Sequence, residues 1–138
     1  EALARWTSGE LGPVPPDRFI AVAEQTGLIG ALGRLLIDRI ASELATVPGL
    51  SVSLNISPVQ LQSPGFGAAL KAAFDRHGII LSRVEVELTE GVLVADPDLA
   101  AFHLDALHDL GFSIALDDFG TGFSSIGYLR RMPFDTLK

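Results

Sequence analysis

The chain has 138 residues, the size of one ordinary domain and enough to bury a core. A net charge of -7 and a pI near 4.7 exclude a protein that wraps a nucleic-acid polymer by neutralising phosphates; a small nucleotide remains compatible, because metal ions can bring the positive charge. Cysteine is absent, so there is neither a disulfide framework nor a thiolate metal site, which agrees with a reducing, cytoplasmic setting.

No secretory signal stands at the N-terminus and no apolar stretch approaches the roughly 20 residues that span a bilayer, so no membrane contact by this segment is expected. Hydrophobic residues make up 48% of the chain and mean hydropathy is +0.37, high for a soluble domain. Some apolar surface is therefore expected to be covered by something beyond these residues.

In chain order, extended and helical patterns alternate. Residues 1–6 form a first extended run. Pro16 to Thr26 is helical, with Phe19, Ile20, Val22 and Ala23 on one side and Gly27 as a left-handed stop. Leu28, Leu32, Leu35, Leu36, Ile40 and Leu44 repeat at helical spacing, interleaved with Arg34, Asp38, Arg39 and Glu43, until Pro48 and Gly49 end the element. Leu50 to Ile56 reads as a strand. Pro64 and Gly65 open a helix reaching about His77, and Val84 to Leu88 is the next strand. Asp96 and Pro97 start a helix whose predicted buried stripe is Leu99, Phe102, Ala106, Leu107 and Leu110, with Gly111 as its stop. Phe112 to Leu116 is a strand, Ser124 to Arg131 a short helix stopped by Pro133, and Phe134 to Lys138 one more strand. Strands alternating with helices of this length imply parallel pairing and one α/β domain over residues 1–138.

Side chains alternate between the faces of a strand, so each run splits into two sets. Val52, Leu54 and Ile56 oppose Ser51, Ser53, Asn55 and Ser57; Val84, Val86 and Leu88 oppose Glu85, Glu87 and Thr89; Ile114 and Leu116 oppose Ser113, Ala115 and Asp117. One face is aliphatic and suits covering helices. The other is small or polar, as in a barrel whose chemistry collects at the C-terminal rim. Glu1 stands at the start of its run, and on this pattern would reach that rim only if its strand ran antiparallel to the others.

Asp117 and Asp118 stand side by side where an apolar strand meets a glycine-flexed turn, Phe119 to Gly122. Two adjacent carboxylates repel each other; a cation beside them removes that cost, whereas in water they simply cap the following helix. Converging at the rim would be Glu1, Asn55, Glu87, Asp117, Asp118 and Lys138. All but Lys138 offer oxygen, the ligand that magnesium or manganese prefers; zinc more often recruits His or Cys.

With these residues in place the chain resembles an EAL domain, the family of bacterial cyclic-di-GMP phosphodiesterases. The resemblance rests on E-x-L-x-R-W (Glu1 to Trp6), P-x-x-F-I-x-x-A-E (Pro16 to Glu24), N-x-S-x-x-Q (Asn55, Ser57, Gln60), E-x-T-E (Glu87, Thr89, Glu90), D-D-F-G-T-G-x-S-S (Asp117 to Ser125) and D-x-x-K (Asp135 to Lys138). Any one of these is weak; six in order along the whole chain are specific. The resemblance implies a modified TIM-type (β/α) barrel with an antiparallel first strand. It implies two ions, Mg2+ or Mn2+, that serve hydrolysis of cyclic-di-GMP to linear pGpG. It further implies Glu1, Asn55, Glu87 and Asp117 on the first metal, Asp117 and Asp118 on the second, and Lys138 orienting water or stabilising charge. Arg5, the backbone of Leu3, and Gln60 would meet substrate, and Glu90 would anchor the loop from Phe119 to Ser125.

A (β/α)8 barrel takes roughly 250 residues, and the family's further metal-ligating Asp, catalytic-base Glu and substrate-contacting Gln lie beyond the motifs matched here. These 138 residues are therefore expected to be inactive alone and to self-associate, as a homodimer or otherwise, through unpaired strand edges. A rival reading is a non-catalytic EAL module that binds cyclic-di-GMP or a protein partner; a more distant one is a barrel enzyme that stabilises an enolate on one metal. His77, His103 and His108 read as helix-surface residues, Trp6 as packing beneath the helices, and Arg130 with Arg131 as a solvated helix end.

Overall fold

A computed structural model describes residues 1–92, 96–118 and 131–138. The elements are β1 (Trp6–Ser8), β2 (Gly12–Val14), α1 (Pro16–Gln25), α2 (Ile29–Ala45), β3 (Val52–Asn55), α3 (Pro58–Leu61), α4 (Phe66–Arg76), β4 (Val84–Thr89), α5 (Pro97–Leu110), β5 (Ser113–Asp117) and β6 (Thr136–Leu137). β3, β4, β5 and β6 form one parallel sheet in that order. Strand order following chain order without reversal is the winding of a (β/α) barrel; a doubly wound sheet would reverse at a switch point. The chain is thus an α/β fold with the strand order of a partial TIM-type barrel.

Local chemistry sets the boundaries. α1 starts at Pro16, where a missing N–H costs nothing because the first turn leaves its donors unpaired. α5 is capped by Asp96, whose Oδ1 accepts from the Leu99 amide at 3.0 Å, and it ends at Gly111 with φ +104, a conformation that a β-carbon would strain. Arg83 donates to the carbonyls of Leu50 at 2.6 Å and Val47 at 3.0 Å, tying the turn after α2 to the start of β4.

The core lies on the aliphatic face of the sheet. Val84, Val86, Leu88, Ile114 and Leu116 are buried there, and Phe74 from α4 meets Phe112 edge to face at 6.3 Å. Helix phases differ from those predicted. On α2 the buried positions are Ile29, Gly33, Ile37, Ala41 and Leu44, while Leu28 and Leu35 are exposed; on α5 they are Ala100, Leu104 and Leu107, while Leu99 and Phe102 are exposed. Both helices carry two apolar stripes. The buried stripe at each includes small residues, Gly33 and Ala41 on α2 and Ala100 on α5, and the space over Gly33 is filled by the Gln60 side chain.

Antiparallel pairing at the N-terminus belongs to a hairpin, β1 with β2, rather than to the segment that carries Glu1. That segment touches the sheet through a parallel bridge, Ala2 opposite Leu54, with the Ala2 amide donating to the Ser53 carbonyl at 2.9 Å. Glu1 therefore needs no reversed strand to reach the rim; its side chain extends along β3. Trp6 touches α1, its ring edge to face on Phe19 at 5.9 Å, but it lies half exposed rather than beneath the helices. The expected helix over 124–131 lies outside the described residues apart from Arg131.

Candidate active site

The register places the polar residues on one face. Asn55 is level with Glu87, Glu87 with Ala115, and Ala115 with Thr136, so alternation puts Ser53, Asn55, Glu85, Glu87, Asp117, Thr136 and Lys138 on the face away from the core. The parallel strands all present their C-terminal ends in one direction.

Two charge clusters form there. Near β3, the Asn55 amide Nδ2 donates to Glu1 Oε1 at 2.7 Å. Near β6, Lys138 Nζ donates to Glu85 Oε1 at 2.5 Å and to the buried carboxylate of Glu87. Glu85 also accepts from Ser53 Oγ at 3.0 Å and from Thr136 Oγ1 at 3.4 Å. The ammonium, more than its hydroxyl partners, holds Glu85 below the usual carboxylate range. In return Glu85 first, and Glu87 second, hold Lys138 above the usual ammonium range. Burying a carboxylate such as Glu87 is tolerable because it is paired.

Asp117 ends β5, half-buried, and its Oδ1 accepts from the Asp118 amide at 2.9 Å. Asp118 follows at φ 57, a left-handed backbone that few residues other than glycine adopt and that Asp tolerates better than most. Residues held in such conformations cluster at functional sites. The glycine-flexed turn predicted after the pair lies outside the described residues.

Glu1, Leu3, Arg5, Asn55, Gln60 and Glu87 all line an open cavity of about 780 Å³, whose other walls are mostly aliphatic side chains, with Arg39 and Glu43 of α2 among them. That volume suits a nucleotide-sized ligand. Leu3 and Arg5 are exposed, and among the described residues Arg5 donates to the neighbouring Ala4 carbonyl at 3.0 Å. Gln60, expected to meet substrate, is buried and serves α3: its Oε1 accepts from the Ser57 amide at 3.2 Å while Ser57 Oγ accepts from the Gln60 amide at 3.3 Å. A β-carbon on Gly33 would lie 2.1 Å from Gln60 Nε2, so this side chain is wedged against α2. Glu90 is buried behind the rim, and the loop it was expected to anchor lies outside the described residues.

Among the described residues no three His, Cys, Asp or Glu side chains stand close enough together to hold a metal ion. Glu1 faces Asn55, Glu87 faces Lys138, and Asp117 faces the Asp118 backbone. The chemistry of the set fits a hard divalent cation nonetheless: every predicted ligand is an oxygen donor, Asn55, Glu87 and Asp117 share one sheet face, and ligation would replace Lys138 as the partner of Glu87. Glu85, Ser53 and Thr136 are the members that the site motifs did not point to. The signal was available, since Glu85 stands two residues before Glu87 and so shares its face.

A sequence profile of the EAL domain matches residues 1–138. The chain belongs to the EAL domain family. EAL relatives include the Escherichia coli cyclic di-GMP phosphodiesterase PdeR, 39% identical over 142 residues, and the Pseudomonas aeruginosa cyclic di-GMP phosphodiesterase NbdA, 36% identical over 143 residues. All of this chain aligns with each, but only 22% and 18% of those two proteins, so the EAL segment spans about a fifth of their length. Among solved structures, the PaMucR phosphodiesterase in complex with c-di-GMP superposes with a TM-score of 0.90 at 31% identity, over 96% of this chain and 56% of that one. No helix among the described residues is long and apolar enough to cross a membrane.

Proposed function

We propose that this EAL segment supplies the metal-binding and substrate-facing rim of a phosphodiesterase that opens cyclic-di-GMP to linear pGpG. What supports the reading is the shared sheet face of Asn55, Glu87 and Asp117, the bond from Asn55 to Glu1, and the cavity that Glu1, Leu3, Arg5, Asn55 and Glu87 border. The names of PdeR, NbdA and the PaMucR complex support the same substrate.

Glu1, Asn55, Glu87 and Asp117 would hold one divalent ion, Mg2+ or Mn2+, and Asp117 with Asp118 a second. Such a pair, when bound, lowers the pKa of an attacking water and neutralises charge on the phosphoryl oxygens. The chain's own contribution is orientation. Arg5 offers a planar, permanently charged fork for a phosphate or guanine edge, and Leu3 offers backbone groups beside it. Lys138 keeps a positive charge at the rim, where it orients water and offsets the negative charge that grows as water adds to phosphorus and one P–O bond breaks. Glu90 would hold the segment 119–125 against the site.

A receptor that binds cyclic-di-GMP without cutting it is favoured by one observation: Glu1 and Glu87 are each already matched by a partner within the chain, Asn55 and Lys138. Incubating the protein that carries this chain with cyclic-di-GMP and Mg2+, and separating products by chromatography, decides between the two. Accumulating pGpG supports the enzyme. Tight binding with substrate left intact supports the receptor, and neither binding nor turnover overturns both.

A further inference from the structure

Glu85 has no role in the reading above, yet on the inner face it bonds to three side chains. Its carboxylate meets Ser53 Oγ, Thr136 Oγ1 and Lys138 Nζ, partners that come from β3 on one side and from β6 and the residue after it on the other. β5 lies between β4 and β6, so Glu85 and Lys138 meet across it. They can do so because the β5 residues beneath that path, Ser113 and Ala115, are small. Lys138 is thus shared between two carboxylates two residues apart on β4, one of which, Glu87, belongs to the predicted ligand set.

We propose that Glu85 is a positioning residue that holds the Lys138 ammonium across β5 and so decides how much of the Glu87 carboxylate is left for a cation. The consequence for a cation rests on the functional reading above; the holding itself does not. When a divalent ion approaches Glu87, its charge repels the ammonium. With Glu85 in place Lys138 keeps a full anionic partner and gives up Glu87 readily. Without it, Glu87 is the one carboxylate among the described residues that the ammonium touches, and Lys138 competes with the ion for it. Ser53 and Thr136 fix the Glu85 carboxylate so that it stays behind rather than following Lys138 or swinging to the ion.

The test is a double-mutant cycle with E85Q, K138M and the combined variant, in the protein that carries this chain, read in two ways. In EDTA, urea unfolding is expected to be non-additive, the pair costing clearly less than the two single changes together. With Mn2+ titrated by electron paramagnetic resonance, E85Q is expected to weaken binding about tenfold when Lys138 is present, the scale of losing a supporting partner at a metal site. In the K138M background the same change should alter binding by less than about twofold, and E85D should recover most of the wild-type affinity. Additive unfolding in EDTA would overturn the holding role. An equal loss of Mn2+ in both backgrounds, or no loss in either, would overturn the control of Glu87. A wild-type protein that takes up no Mn2+ would sink the functional reading, and the EDTA cycle would still decide whether Glu85 holds Lys138.

Discussion

The two faces of the four-stranded sheet are built from alternate residues of the same strands and do opposite things. On the core face Val86, Leu88, Ile114 and Leu116 are buried against the helices, and removal of apolar surface from water is their whole contribution. On the inner face Ser53, Asn55, Glu85, Glu87, Asp117 and Lys138 form charged and hydrogen-bonded contacts whose net worth to folding is small, because desolvation offsets most of the attraction. A strand with period two can thus carry stability on one side and chemistry on the other without either constraining the residue types of its neighbour.

That division can be broken by experiment. The largest expected effect is at Asp117: D117N should slow hydrolysis by about 10³-fold, some 4 kcal/mol of transition-state stabilisation, with little change in the urea midpoint. A large loss of stability there would show that the inner face also holds the fold. On the other side of the same sheet, Leu88→Ala should cost about 3 kcal/mol of unfolding free energy, while the activity of the folded fraction stays near wild type. Chemical unfolding combined with initial rates at low temperature separates the two quantities.

A smaller effect is expected away from both faces, where Asp96→Ala removes the cap of α5. It should cost about 1 kcal/mol in unfolding and nothing in turnover.

The faces should differ in pH dependence as well. Glu85 is held below its ordinary value of 4.5, so its contribution is present above that pH and fades as pH falls through the lowered value. Lys138 is held above 10.5, so its contribution is present below that pH and fades as pH rises past it. Unfolding followed from pH 7 downward should therefore show a shallower acid decline in E85Q than in wild type, whereas Leu88→Ala should lower the curve without changing its shape.

Much of this was legible in the amino-acid order, and the failures have physical reasons. Strand and helix positions followed from periodicity and from stops such as Gly27 and Gly111. Helix phase did not, because α2 and α5 each carry two apolar stripes, and which one is buried depends on tertiary neighbours such as the Gln60 side chain over Gly33. The hairpin of β1 and β2 escaped notice because Pro13, which cannot donate to a ladder, lies inside it. Ser57 and Gln60 carry a capping-box spacing that opens α3, a short element the helical periodicity did not show. Glu1 reached the rim by a parallel route because a glutamate side chain is long enough to reach Asn55 from a segment in register with β3. That Asn55, Glu85, Glu87 and Asp117 share a face was readable from strand alternation. Who pairs with whom was not, since the meeting of Glu85 with Lys138 depends on the small residues of the strand between them.

The claim on which the account rests is that the inner-face oxygens gather around divalent ions. A crystal of the protein soaked in Mn2+, with manganese located by its anomalous scattering, tests it most directly. The account predicts manganese in contact with Glu1, Asn55, Glu87 and Asp117, with Lys138 withdrawn onto Glu85. Manganese bound elsewhere, with Lys138 still seated on Glu87 at saturating metal, would contradict it.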